Sequence, residues 1–103
     1  MSKRLEMLEK LAATAAPDSF ALYGLAMEYR AVGRTEDAIL TFDRLRAKDP
    51  DYLPMFLMAG QILESTGQTA AARSWLEAGV ALAERKGEQK AKNELLAALD
   101  ACD

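Results

Sequence analysis

The sequence predicts an all-α solenoid of about six helices packed as antiparallel pairs. Three observations carry this. Alanine and leucine make up about a third of the 103 residues, while Ile and Val together number only four, a balance that favours helix over strand. Pro17, Gly33, Pro50, Gly67 and Gly87 cut the chain into pieces of helical length. The pieces also repeat: Gly33 and Gly67 lie 34 residues apart, and at the same offset Thr35 meets Thr69, Ala38 meets Ala72 and Ala47 meets Ala81. A helix–turn–helix period of that length marks a repeat array. Each unit has two amphipathic helices that bury their apolar faces only by stacking on neighbours.

The elements follow in order. Ser2 can cap a first helix running to about Ala16, with Leu5, Leu8, Leu11 and Ala12 on one stripe. Asp18 or Ser19 can cap a second, whose buried face is Leu22, Leu25, Ala26 and Tyr29, and Gly33 suits its left-handed end. Thr35 is the expected cap of a third helix, with Glu36 and Asp37 in its first turn, where the helix dipole favours carboxylates. Its face is Ala38, Phe42 and Leu45, and Pro50 stops it.

Asp51 is the expected cap of a fourth helix, with Pro54 in its first turn, where a missing N–H costs little. Its face is Phe56, Ala59, Gly60 and Leu63, and Gly67 ends it. Thr69 is the expected cap of a fifth, with Ala72, Leu76, Gly79 and Val80 or Ala83 inward. After Gly87 a last helix carries Leu95, Leu96 and Leu99, with Glu88 and Lys92 as an i, i+4 pair. Trp75, Tyr29 and Phe42 are expected to be packing residues.

At these positions the chain resembles the tetratricopeptide repeat (TPR) family. One unit supplies Leu22, Leu25-Ala26, Tyr29, Gly33, Ala38, Phe42, Leu45 and Pro50. The next supplies Phe56, Ala59-Gly60, Leu63, Gly67, Ala72, Leu76 and Gly79. Ala26 and Leu45 depart from the family's Gly and Ala. Leu63 replaces its Tyr, and Glu84 stands where Pro is usual, so the fifth helix is expected to run on to about Lys86. The resemblance implies a right-handed superhelix in a single domain. Residues 1–16 form a leading capping helix, 19–50 and 52–86 two repeats, and 88–101 a closing helix.

Composition narrows the chemistry. There is no His, one Cys and a net charge of −3. Without His the usual general base near neutral pH is missing, and no serine has a base partner in a recognisable motif. Glu36-Asp37 and Asp49-Asp51 sit at helix ends, where carboxylates serve as caps. No metal-ligand spacing, glycine-rich phosphate loop or cofactor motif is present. No enzyme, metal site or cofactor is therefore expected. The acidic balance argues against nucleic acid and anionic membrane as partners. The longest uncharged stretch, Tyr52 to Leu63, is too short to span a bilayer. Charges at Glu6, Glu9 and Lys10 interrupt any signal-like run, and one thiol suits a reducing compartment, so the expectation is a cytoplasmic protein. Cys102, next to the C-terminal residue, is expected to be an exposed thiol.

The resemblance implies a binding surface. In this family the first helices of successive repeats line a concave groove for a peptide or a partner helix. The matching positions are Phe20, Tyr23, Gly24, Met27, Arg30 and Ala31, then Pro54, Leu57, Met58, Gln61, Glu64 and Ser65. The Lys and Asn with which one subgroup grips a C-terminal carboxylate are absent there, so that clamp does not fit. Tyr23, Met27, Leu57 and Met58 lie off the core stripes and suit an adaptable apolar contact. Gln61 joins them, with Arg30 and Glu64 setting polarity at the rim. Three readings of this patch stay open: a non-enzymatic protein–protein interaction groove, a homodimer seam, and a surface covered by the terminal helices.

Overall fold

The computed structural model describes residues 2–102 and contains six helices among them: α1 (Lys3–Ala12), α2 (Ser19–Ala31), α3 (Thr35–Lys48), α4 (Pro54–Ser65), α5 (Thr69–Lys86) and α6 (Gln89–Asp100). The chain divides into two compact units, Met1–Tyr52 with α1 to α3 and Leu53–Asp103 with α4 to α6. In the first unit α2 packs against both α1 and α3; in the second α5 packs against both α4 and α6, and α4 also touches α6.

The three glycine turns share one construction. Gly33, Gly67 and Gly87 have φ of 83, 80 and 69°. This left-handed backbone lets Arg34 N–H bond back to Tyr29 O at 2.8 Å, Gln68 N–H to Leu63 O at 2.9 Å and Glu88 N–H to Ala83 O at 2.9 Å. The same three residues then open the next helix, their carbonyls accepting from Ala38, Ala72 and Lys92 N–H. This corrects two expected caps. Arg34 and Gln68 hold the cap positions, and Thr35 and Thr69 are already inside α3 and α5. One residue serves both helices because the turn is so tight.

Three other expectations change. Helix α1 stops at Ala12 rather than Ala16, and Leu11 is 48% exposed. Pro17 disfavours helix in the residue before it, and the Thr14 hydroxyl donates to Leu11 O at 3.1 Å, competing for the backbone. Asp51 does not cap α4. Its segment is spent in a turn in which Tyr52 N–H donates to Asp49 O at 3.1 Å, and the helix opens at Pro54. Lys92 pairs with Glu84 at 2.9 Å, across to α5, in place of Glu88. Ser2 does cap α1, accepting from Leu5 N–H at 3.2 Å, and Asp18 caps α2, accepting from Phe20 N–H at 2.9 Å.

The core stripes lie where the spacing puts them. Leu5, Leu8 and Ala12 on α1 and Leu22, Leu25, Ala26 and Tyr29 on α2 are buried where the two helices pack, while Ala38, Phe42 and Leu45 are fully buried on α3. In the second unit Phe56, Ala59, Leu63, Ala72, Leu76 and Ala83 are buried, and the Phe56 ring sits 5.7 Å from that of Trp75. Met55, Ile62 and Leu82, outside the expected faces, are buried as well, and Leu96 is exposed. Small residues set the spacing. A Cβ on Gly60 would meet Leu76 Cδ2 at 2.5 Å, and one on Gly79 would meet Phe56 Cβ at 2.7 Å. Helix α5 ends at Lys86, as the missing proline predicts.

Candidate functional site: two half-exposed helix faces

On α2, Tyr23, Met27 and Arg30 follow one another at i, i+4 and i+7, the spacing that keeps side chains on one face. Tyr23 and Met27 are half-buried and Arg30 is exposed. The Tyr23 ring leans on Phe42 at 6.1 Å and Tyr52 at 5.4 Å, so α3 and the segment after it hold it in place. Phe20, one turn earlier, is 72% exposed. Gly24 is half-buried beside the Leu8 side chain, and Ala31 is exposed.

On α4 the expected contacts form a second face. Leu57, Met58 and Glu64 are half-buried, and Gln61, Ser65 and Pro54 are exposed. The Ser65 hydroxyl donates to Ile62 O at 2.7 Å. The C-terminal half of this face opens onto a cleft of about 220 Å³. Gly60, Gln61 and Glu64 form one wall, Leu76 lies on another, and Ala98 and Cys102 from the end of α6 close it.

That last wall corrects the expectation for Cys102, whose side chain is only 3% exposed. The missed signal is spacing: Leu95, Leu99 and Cys102 continue one helical stripe. The end of α6 is held down because Arg73 Nη1 on α5 donates to Cys102 O at 3.0 Å. Arg44 does the same for α1, donating to Ala12 O at 2.9 Å.

Titratable groups are few. The Tyr29 hydroxyl donates to Glu9 Oε2 at 2.7 Å, tying α2 to α1, and the Arg34 guanidinium lies 4.7 Å from its ring centre. Burial, then the bond to Glu9, holds the Tyr29 hydroxyl pKa above the usual 10.0. Burial also raises Tyr52, and it raises Tyr23 against the opposing pull of Arg30. These raised values mean the folded form keeps neutral hydroxyls longer than the unfolded chain. Their contribution is complete below pH 10 and is lost as pH rises through the folded values. Urea midpoints are therefore expected to fall above pH 10, less steeply in Tyr29→Phe; a flat profile for wild type contradicts this. Among the described residues no group of three His, Cys, Asp or Glu could hold a metal ion. No described helix is long and apolar enough to cross a membrane.

The repeat architecture has counterparts. A TPR repeat-containing protein of Pseudomonas aeruginosa is 30% identical over 91 residues, covering 88% of this chain and 87% of its own length. The chain belongs to the tetratricopeptide-repeat family. The solution structure of a tetratricopeptide repeat domain protein from Salinibacter ruber superposes with a TM-score of 0.79 at 29% identity, over 84% of this chain and 87% of its own. The solution structure of a Bordetella parapertussis protein superposes at 0.84 with 25% identity, over 99% of this chain and 89% of its own. No family model matches the chain. The fold is thus the all-α helical solenoid of the TPR class, a scaffold that generally serves protein–protein interaction.

Proposed function

We propose that this TPR protein is a non-enzymatic module of the cytoplasm that binds a peptide or helix of a partner protein through apolar faces on α2 and α4. Tyr23, Met27 and Arg30 are the contacts from α2, and Leu57, Met58, Gln61 and Glu64 those from α4. One observation carries this reading. Both helices already have full core stripes, yet each keeps further large apolar side chains half-exposed beside them. Such residues cost solubility unless a partner covers them, and flexible Met beside an aromatic adapts to a varied surface.

The test is capture from native lysate by wild type and by a Met27→Glu/Met58→Glu variant, after both show the same helical circular dichroism. A protein retained by wild type and lost by the variant is the expected result. Identical retained sets overturn the assignment of these faces. A second reading, self-association, draws on Phe20, which is 72% exposed. It predicts a native mass that falls on dilution; a monomer at every concentration sinks it.

A further inference from the structure

The cleft between α4 and α6 combines an apolar interior with one acidic residue, Glu64, on its lining. Gly60, Leu76 and Ala98 present no charge and line a cleft of about 220 Å³, room enough for a long, unbranched side chain. Glu64 is the charged residue on its lining, and it has no ion-pair partner among the described residues. It sits in the last turn of α4, where a carboxylate opposes the helix dipole. The end of α6 reaches the same cleft. Neither helix carries a basic residue in its last turn. At the α6 end the Arg73 guanidinium of α5 is engaged with Cys102 O at 3.0 Å, whereas no cation is paired with Glu64 among the described residues. The carbonyl end of α4 and a carboxylate without an ion-pair partner thus meet beside an apolar slot.

We propose that this cleft takes a lysine or arginine side chain, its methylene stem against Leu76 and Ala98 and its cation at Glu64. This rests on, and sharpens, the reading of the α4 face as a partner contact. Long cationic side chains bury their stems along apolar surface while keeping the charged head at a polar rim. A leucine or methionine filling the same slot leaves Glu64 desolvated and unpaired, and a carboxylate faces Glu64 and the carbonyl end of α4. The partner segment is therefore basic at this point.

The probes are n-butylguanidinium and n-butylammonium, the arginine and lysine side chains cut free, with butyrate and n-butanol as the anionic and neutral comparisons. Each is titrated into the ¹⁵N-labelled chain. Saturable shifts of the Gly60, Gln61, Glu64 and Ala98 amides are expected with the cations and not with butyrate or butanol. Glu64→Gln is expected to weaken cation binding about tenfold, the scale of one charge-assisted contact. Ala98→Leu keeps the charge, fills the slot, and is expected to abolish the response.

Absence of saturable shifts with either cation overturns the proposal. So does equal binding of butanol, or a response that survives both substitutions. The two readings fail separately. If Met27→Glu/Met58→Glu loses the partner but the cations do not bind, the cleft proposal falls and the contact faces stand. If the cations saturate the cleft while that variant keeps the same partners as wild type, the contact faces fall and the cation site stands.

Discussion

Phe42→Ala is expected to destabilise the fold by about 3–5 kcal/mol, the usual cost of emptying a fully buried aromatic site. Phe42 is completely buried on α3, and its ring is one of the two on which Tyr23 leans. A loss of that size is a large part of the ~5–15 kcal/mol that holds a small domain together. Leu40, on the same helix but 62% exposed, is the control; Leu40→Ala is expected to stay within about 0.5 kcal/mol. Urea unfolding of the three chains checks this. A Phe42→Ala loss below about 1 kcal/mol contradicts the placement of α3. Because Phe42 supports Tyr23, the same substitution is expected to weaken partner capture through the α2 face.

Glycine-to-alanine changes inside helices should split by sign. Alanine is the better helix former by about 1 kcal/mol, so propensity alone predicts stabilisation at every site. At Gly79 a new Cβ lies 2.7 Å from Phe56 Cβ and 2.9 Å from Leu95 Cδ2. Phe56 Cβ moves only with the α4 backbone, so the overpacking cost of about 1–3 kcal/mol wins and Gly79→Ala destabilises. Gly60→Ala presses on Leu76, itself 1% exposed, and moves the same way. At Gly24 the nearest atom is Leu8 Cδ2 at 3.4 Å, an ordinary contact, so Gly24→Ala is expected to stabilise by up to about 1 kcal/mol. Thermal melts of the three variants decide it. Stabilisation at Gly79 equal to that at Gly24 refutes close helix approach between α4 and α5.

Much of this architecture was legible residue by residue. The helices, their buried stripes and the repeat period follow from local rules of spacing and turn chemistry. A stripe such as Leu22, Leu25, Ala26 and Tyr29 has one helical reading, and Gly33 and Gly67 stand where the backbone must turn left-handed. The exposure of the off-stripe apolar residues was legible to the same depth: Tyr23, Met27, Leu57 and Met58 are half-exposed on α2 and α4. The caps were misplaced by one residue at α3 and α5, because a threonine's general preference says nothing of a preceding residue that serves two helices at once.

What sequence alone determined, then, is the helical composition, the 34-residue period and the residues each helix turns inward, all consequences of interactions a few residues long. What the ends of the outer helices form was decided by tertiary structure. Arg44 reaches the end of α1 across 32 residues, and Arg73 reaches the end of α6 across 29. Pairing over such distances leaves no periodic trace in the chain. The buried Cys102 and the cleft beside it exist because α6 is held down against α4 and α5, bringing Glu64 and Ala98 to one lining.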